Sequence, residues 1–226
     1  MINAYGICHS IGITMIYHIF KIFFLHMFSF SLAHWDYIFF WGLITVVFGG
    51  RLMCCLQGDI PWNHFHKIHQ GGLSVFGHIY AGLFYSLLIS YIYNENPILF
   101  TESIILSTSL QIIMGRLGNY LKGELGGVYS SKLKMRHPSQ IYQLCLEGIV
   151  QSAILWNFYD CVGQGIIFML MPVVYAIFRS FCEIFKMEDS AMPDWFRRWC
   201  HRYIKFVHFQ CICLPIVFAA ILFCYA

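Results

Sequence analysis

Apolar residues run through this chain in long blocks separated by short polar breaks. Seven blocks reach the roughly 20 mostly apolar residues that a membrane-spanning helix needs: about 5–28, 37–56, 72–93, 98–118, 139–158, 163–185 and 206–225. The blocks do not alternate apolar and polar positions as strands do, so they predict helices. In lipid only helices or closed barrels satisfy the backbone, which points the same way. Segments 29–36, 94–97 and 159–162 are short connections, whereas 57–71, 119–138 and 186–205 are longer and polar. With seven spans the three longer loops fall on one side. Pro138 suits the first turn of the fifth helix, where a missing N–H costs nothing. Pro172 and Pro215 fall inside the sixth and seventh helices, which are expected to kink there. There is no linker, repeat or low-complexity tract. The expectation is an all-α integral membrane protein of about seven transmembrane helices in one bundle, a single domain over 1–226.

Composition agrees with this reading. The chain is 59% hydrophobic and 11% charged, with a mean hydropathy of +0.64. A soluble domain is about a quarter charged. The first block lacks a basic start and a small-residue cleavage site, so it is expected to be a retained anchor. Ten cysteines form no C-x-x-C pair, and most lie in apolar runs as small hydrophobes. His64, His66 and His69 are close enough to chelate a metal but have no acidic or cysteine partner at ligand spacing, so no metal site is expected. A net charge of +3 without a basic-aromatic stripe gives no case for nucleic acid.

Candidate chemistry appears where charge interrupts the apolar blocks. Arg51, Arg116 and Arg179 lie within or at the edges of predicted helices. An arginine at a helix centre costs roughly 2.5–3.5 kcal/mol on insertion. Snorkelling or a structural ion pair covers Arg51, and a shared anionic ligand explains the three together better. Guanidinium meets phosphate by a two-pronged contact, and in a membrane the nearest phosphates are lipid headgroups. Tyr175, Arg179 and Glu183 recur at i, i+4 and i+8, which puts them on one helical face. Gln140 and Glu147 share a face of the fifth helix, and Glu147 needs an arginine partner. In GRLGNYLKGELGG (115–127), glycines allow close backbone approach, and Arg116, Asn119 and Glu124 stand among them. The glycines alone would suit helix packing, but the polar residues point to a lipid-phosphate pocket at the membrane edge.

The same stretch, with RHPSQIYQLCLEG (136–148), closely resembles the signatures of the bacterial prolipoprotein diacylglyceryl transferase family. FGGR (48–51), GGLS (71–74), AYG (4–6), the Tyr175–Arg179–Glu183 spacing and Gln210 with Pro215 match in order over nearly the whole chain. The resemblance implies seven transmembrane helices in the bacterial cell (inner) membrane. It also implies transfer of the diacylglyceryl group from phosphatidylglycerol to the lipobox cysteine thiol of prolipoproteins, with no cofactor. On this basis Tyr5, Arg179 and Glu183 would be catalytic. Arg116, Asn119, Glu124, Gly127 and Tyr175 would bind the phosphatidylglycerol.

Three features depart from the family's pattern. Phe76 stands where the family has a histidine, and His78, two residues on, points about 160° away on a helix. Only Val128 to Met135 separates the two signatures, where the family carries a larger insertion. Ten of the 14 Lys and Arg lie in the three longer loops, so the positive-inside rule places those loops in the cytoplasm, whereas the resemblance places them outside. Two other readings stand at this point: a phospholipid-binding homologue without turnover, suggested by Phe76, and a small transporter or metal-handling protein, suggested by the His and Cys content.

Overall fold

The computed structural model describes residues 4–67, 72–123, 126–132, 134–186 and 206–225. Its helices are α1 (Ala4–Ile19), α2 (Leu32–Gln57), α3 (Val75–Tyr93), α4 (Pro97–Lys122), α5 (Ser139–Gln143), α6 (Gln151–Trp156), α7 (Ile166–Glu183) and α8 (Phe206–Tyr225). A π-helical turn at Phe20–Phe24 and a 3-10 turn at Leu25–Met27 prolong α1. A second π-helical segment, Leu144–Val150, joins α5 to α6, so the fifth expected helix is present as three contiguous helical pieces. Among the described residues six helical stretches are long and apolar enough to cross a membrane, and the fold is all-α as expected. Strands β1 (Tyr129–Ser130) and β2 (Met135–Arg136) form a small antiparallel hairpin, with Tyr129 opposite Arg136. Large apolar side chains remain exposed along the helices, among them Tyr91, Phe223, Phe84 and Ile212, as a lipid-facing surface requires.

The chain divides into two compact units, Met1–Phe24 with Ile98–Glu188 and Cys211–Ala226, and Leu25–Pro97 with Asp189–Gln210. In the second, α2 and α3 pack through small residues. A Cβ on Gly49 would lie 2.3 Å from Ala81 Cβ, and one on Gly77 would lie 2.4 Å from the Gly49 carbonyl oxygen. With lipid offering no hydrophobic drive between helices, such close backbone contact supplies the attraction. Ser31 caps α2, and Gly58 (φ 82°) and Asn94 (φ 51°) end α2 and α3 in the left-handed region.

Arg51 belongs to this second unit and has a structural partner set. Its guanidinium donates to the carbonyls of Phe65 (3.0 Å), Gly72 (3.1 Å), His64 (2.6 Å) and Lys67 (3.1 Å). Arg51 thus clamps the loop that follows α2. Phe76 is buried in the first turn of α3. The His78 ring lies on Gly50, where a Cβ would come within 2.6 Å of it, and Nδ1 is 2.7 Å from the Ser74 carbonyl.

The first unit holds Glu102, Arg116, Glu147, Arg179 and Glu183. Phe20 meets Phe100 edge to face (5.8 Å), Phe24 meets Trp156 (6.3 Å), and Phe168 packs on Phe218 (4.8 Å). Glu102 of α4 is fully buried and accepts from the backbone N–H of Gly163 and of Phe168 (2.8 Å). One carboxylate thus satisfies donors at the start of α7 that no helical carbonyl reaches. Gly148 packs on Ile113 of α4, and Trp156 Nε1 donates to Ser109 Oγ (3.2 Å). Both α7 and α8 run on through their prolines.

Candidate functional site

Helix α4 does not end at the glycines of the 115–127 stretch. It continues to Lys122, and Gly118 serves packing: a Cβ there would lie 3.2 Å from the Tyr5 ring and 3.3 Å from Cys8 Cβ. Arg116 and Asn119 are therefore one helical turn apart, as their spacing implies. Arg116 is buried, and Asn119 is half-buried.

Opposite Arg116, the π-helical segment carries Glu147, which is fully buried. Its Oε2 accepts from Arg116 Nη2 at 2.6 Å, and its Oε1 lies 3.5 Å from Arg179 Nη1. Arg179 in turn pairs Nη2 with Glu183 Oε2 at 3.1 Å, one turn along α7. A single carboxylate so draws arginines from two helices together, and two carboxylates match two guanidiniums. Buried charge is tolerated only when paired in this way. Arg179 Nε has no hydrogen-bond partner among the described residues. Tyr175 is buried on the same face of α7.

The structure brings Arg116, Arg179, Glu183 and Glu147 into one ion-pair network, with Tyr175 one turn below Arg179. Tyr5 reaches the same helix as Arg116 from α1: its ring lies where a Cβ on Gly118 would come within 3.2 Å, tilts against His9 (4.3 Å between centroids, 55° between planes) and lies 5.3 Å from Lys122 Nζ. Gly127 sits where two chain segments cross. A Cβ there would lie 2.3 Å from the His137 oxygen and 2.6 Å from the Phe185 oxygen. Its N–H donates to His137, and the next N–H, of Val128, donates to Phe185. Gly127 therefore seats the hairpin on the end of α7, a packing role that the sequence alone did not specify. Glu124 and His69 lie outside the described residues.

Lys186 pairs with Gly127 across this junction. Burial, reinforced by the Arg179 charge, pulls its ammonium pKa down to about 8.

Sequence reasoning passed over Glu102 and the buried neutral polar residues Gln143, Gln151 and Ser152. The signal that marks them is the one that flagged Glu147: a polar side chain inside an apolar block.

The sequence profile of the family described as prolipoprotein diacylglyceryl transferase matches residues 1–226. The phosphatidylglycerol–prolipoprotein diacylglyceryl transferase of Campylobacter jejuni (strain 81-176) is 31% identical over 84% of this chain and 79% of its own length. That of Aliarcobacter butzleri is 31% identical with the same coverage of each chain. That of Nitrosomonas europaea is 30% identical over 69% of this chain and 62% of its own.

Proposed function

Because the chain belongs to the prolipoprotein diacylglyceryl transferase family, we propose that it transfers the diacylglyceryl group of phosphatidylglycerol to the lipobox cysteine thiol of prolipoproteins. The reaction is a displacement. Sulfur forms a bond to the glyceryl carbon as the bond from that carbon to the phosphate oxygen breaks. A thioether results, and the thiol proton and the electron pair leave as proton and glycerol phosphate.

The barrier lies in weak leaving-group ability and in a thiol that is a poor nucleophile until it ionises. Paired guanidiniums address the first by stabilising negative charge where it develops on the phosphate. The observation that carries the reading is Arg116 and Arg179 gathered on Glu147 in a chain matching the family throughout. Glu147 and Glu183 orient the guanidiniums, and donors oriented in advance need little reorganisation to meet a phosphate. In this reading Arg116, with Asn119, Glu124 and Tyr175, binds the lipid phosphate, and Gly127 shapes the rim. Arg179, Tyr5 and Glu183 complete the reacting side. Phosphatidylglycerol and prolipoprotein are the partners, and the site of action is the bacterial inner membrane. The family membership supports the activity and its two substrates, and the residue roles rest on the sequence motifs and the ion-pair geometry.

The test uses purified protein in liposomes of phosphatidylglycerol with a lipobox peptide, followed by peptide mass. The expected result is addition of one diacylglyceryl group by the wild type and none by Arg116→Ala. Full activity in Arg116→Ala would remove the phosphate assignment. No mass shift with the wild type would overturn the transferase reading.

A further inference from the structure

The helical stretch from Ser139 to Trp156 carries more polar groups than the ion pairs account for. Gln143, Glu147 and Gln151 follow each other at four-residue intervals, and all three are buried to 1% exposure or less. The π-helical segment between α5 and α6 contains Glu147 and ends next to Gln151; such widened turns recur at functional sites. Glu147 is engaged by the arginines. Gln151 Oε1 and Ser152 Oγ, however, have no hydrogen-bond partner among the described residues. Orphaned polar atoms in a membrane interior lower stability, and no bulk water is at hand to satisfy them.

Ser152 also lines a groove of about 450 Å³. Its walls are Ile19 and Phe23 from the first span, Leu110 and Ile113 of α4, and Ile149 and Trp156. Ser152 is the polar residue in a groove otherwise lined by apolar side chains, and its hydroxyl is buried beneath that lining. Gln151 lies four residues beyond Glu147, about one turn along this widened helix. That is comparable with the span of a glycerol backbone, which in a phospholipid separates the phosphate from the ester carbonyls.

We propose that Gln151 and Ser152 form a neutral subsite that binds the glyceryl ester oxygens of the lipid, with an acyl chain lying in the adjoining groove. The proposal rests on the phosphate assignment made above. Neutral amide and hydroxyl donors match uncharged ester carbonyls as guanidiniums match phosphate. Ser152 donates its O–H. Gln151 donates its amide N–H after rotation of the amide, whose two ends exchange places by a half-turn.

The experiment removes the same interaction from either side. Diester phosphatidylglycerol is compared with its dialkyl ether, which has the same phosphate and no carbonyls. Transfer to a lipobox peptide and lipid retained on the protein, by native mass spectrometry, are measured for the wild type, Ser152→Ala and Gln151→Leu/Ser152→Ala. The wild type should favour the diester, by roughly fivefold per hydrogen bond. In the double variant the preference should fall to within about twofold, through loss of diester binding alone. Lipid-free, both variants should melt higher, because an orphaned polar atom has gone. Equal handling of the two lipids by the wild type would overturn the proposal. So would a preference that survives both substitutions, the result expected if ordered water alone meets these atoms. If the wild type transfers nothing, the transferase reading fails, and the retained-lipid ratio still decides the subsite. Should the double variant not fold, Ser152→Ala carries the comparison.

Discussion

Replacing Glu147 with leucine tests the core of the site. The carboxylate is fully buried and holds Arg116 at 2.6 Å and Arg179 at 3.5 Å. Arg179 keeps Glu183 at 3.1 Å, so the loss falls mainly on Arg116. Breaking a buried pair by removing one partner costs about 3–5 kcal/mol, because a charge is left uncompensated. For a chain of this size that corresponds to a fall of about 6–20 °C in melting temperature. Removing the stranded charge as well, in Arg116→Met/Glu147→Leu, should recover most of the loss, since apolar replacement of a whole buried pair is close to neutral. The two substitutions should therefore couple by about 3 kcal/mol or more, the size of the loss recovered. Thermal unfolding in detergent, followed by tryptophan fluorescence, measures all three variants. Adding phosphatidylglycerol should raise the melting temperature of Glu147→Leu more than that of the wild type, because the phosphate replaces the missing anion. A Glu147→Leu protein that melts with the wild type, or a double variant that loses the sum of the two single losses, would refute the ion-pair reasoning.

Further outcomes follow from the same geometry. Glu102→Leu should cost roughly 1–3 kcal/mol for each N–H it strands at Gly163 and Phe168, with Glu102→Gln milder, measured by the same melts. Gly127→Ala would drive a methyl into the His137 and Phe185 carbonyls, so the hairpin should detach, with faster proteolysis within 128–137 and lower transfer. Lys186 titrates at about 8 in the folded protein against 10.5 in the unfolded chain. Between those values the unfolded state binds the extra proton, so stability should rise with pH across the window, by up to about 3 kcal/mol. Lys186→Met should flatten that slope, and a pH-stability series on both proteins checks the sign.

Much of the fold was legible because a span in lipid is specified by local composition. The blocks at 98–118 and 206–225 correspond to α4 and α8 within a few residues, since every residue of a lipid-facing helix meets the same solvent. The need of Glu147 for an arginine was legible for the same reason: a carboxylate at that depth has few possible partners. Arg51 shows where such reasoning stops. It is an arginine in an apolar helix like Arg116, yet it binds four carbonyls 13 to 21 residues further along the chain. The identity of a buried charge reports that a partner is needed, and the path of a distant loop decides which partner it finds.

The sequence by itself therefore determined the solvent, the helices and the residue types available for phosphate chemistry, all of which depend on local hydropathy and spacing. Tertiary structure alone decided that Gly118 and Gly127 are contact points, that Glu102 caps a helix 61 to 66 residues away, and that Glu147 gathers two arginines from different helices. It also decided that Gln151 Oε1 and Ser152 Oγ lie buried with no hydrogen-bond partner among the described residues. Each of these depends on which backbones approach within hydrogen-bond or van der Waals distance, and helix packing settles that only once the spans have assembled.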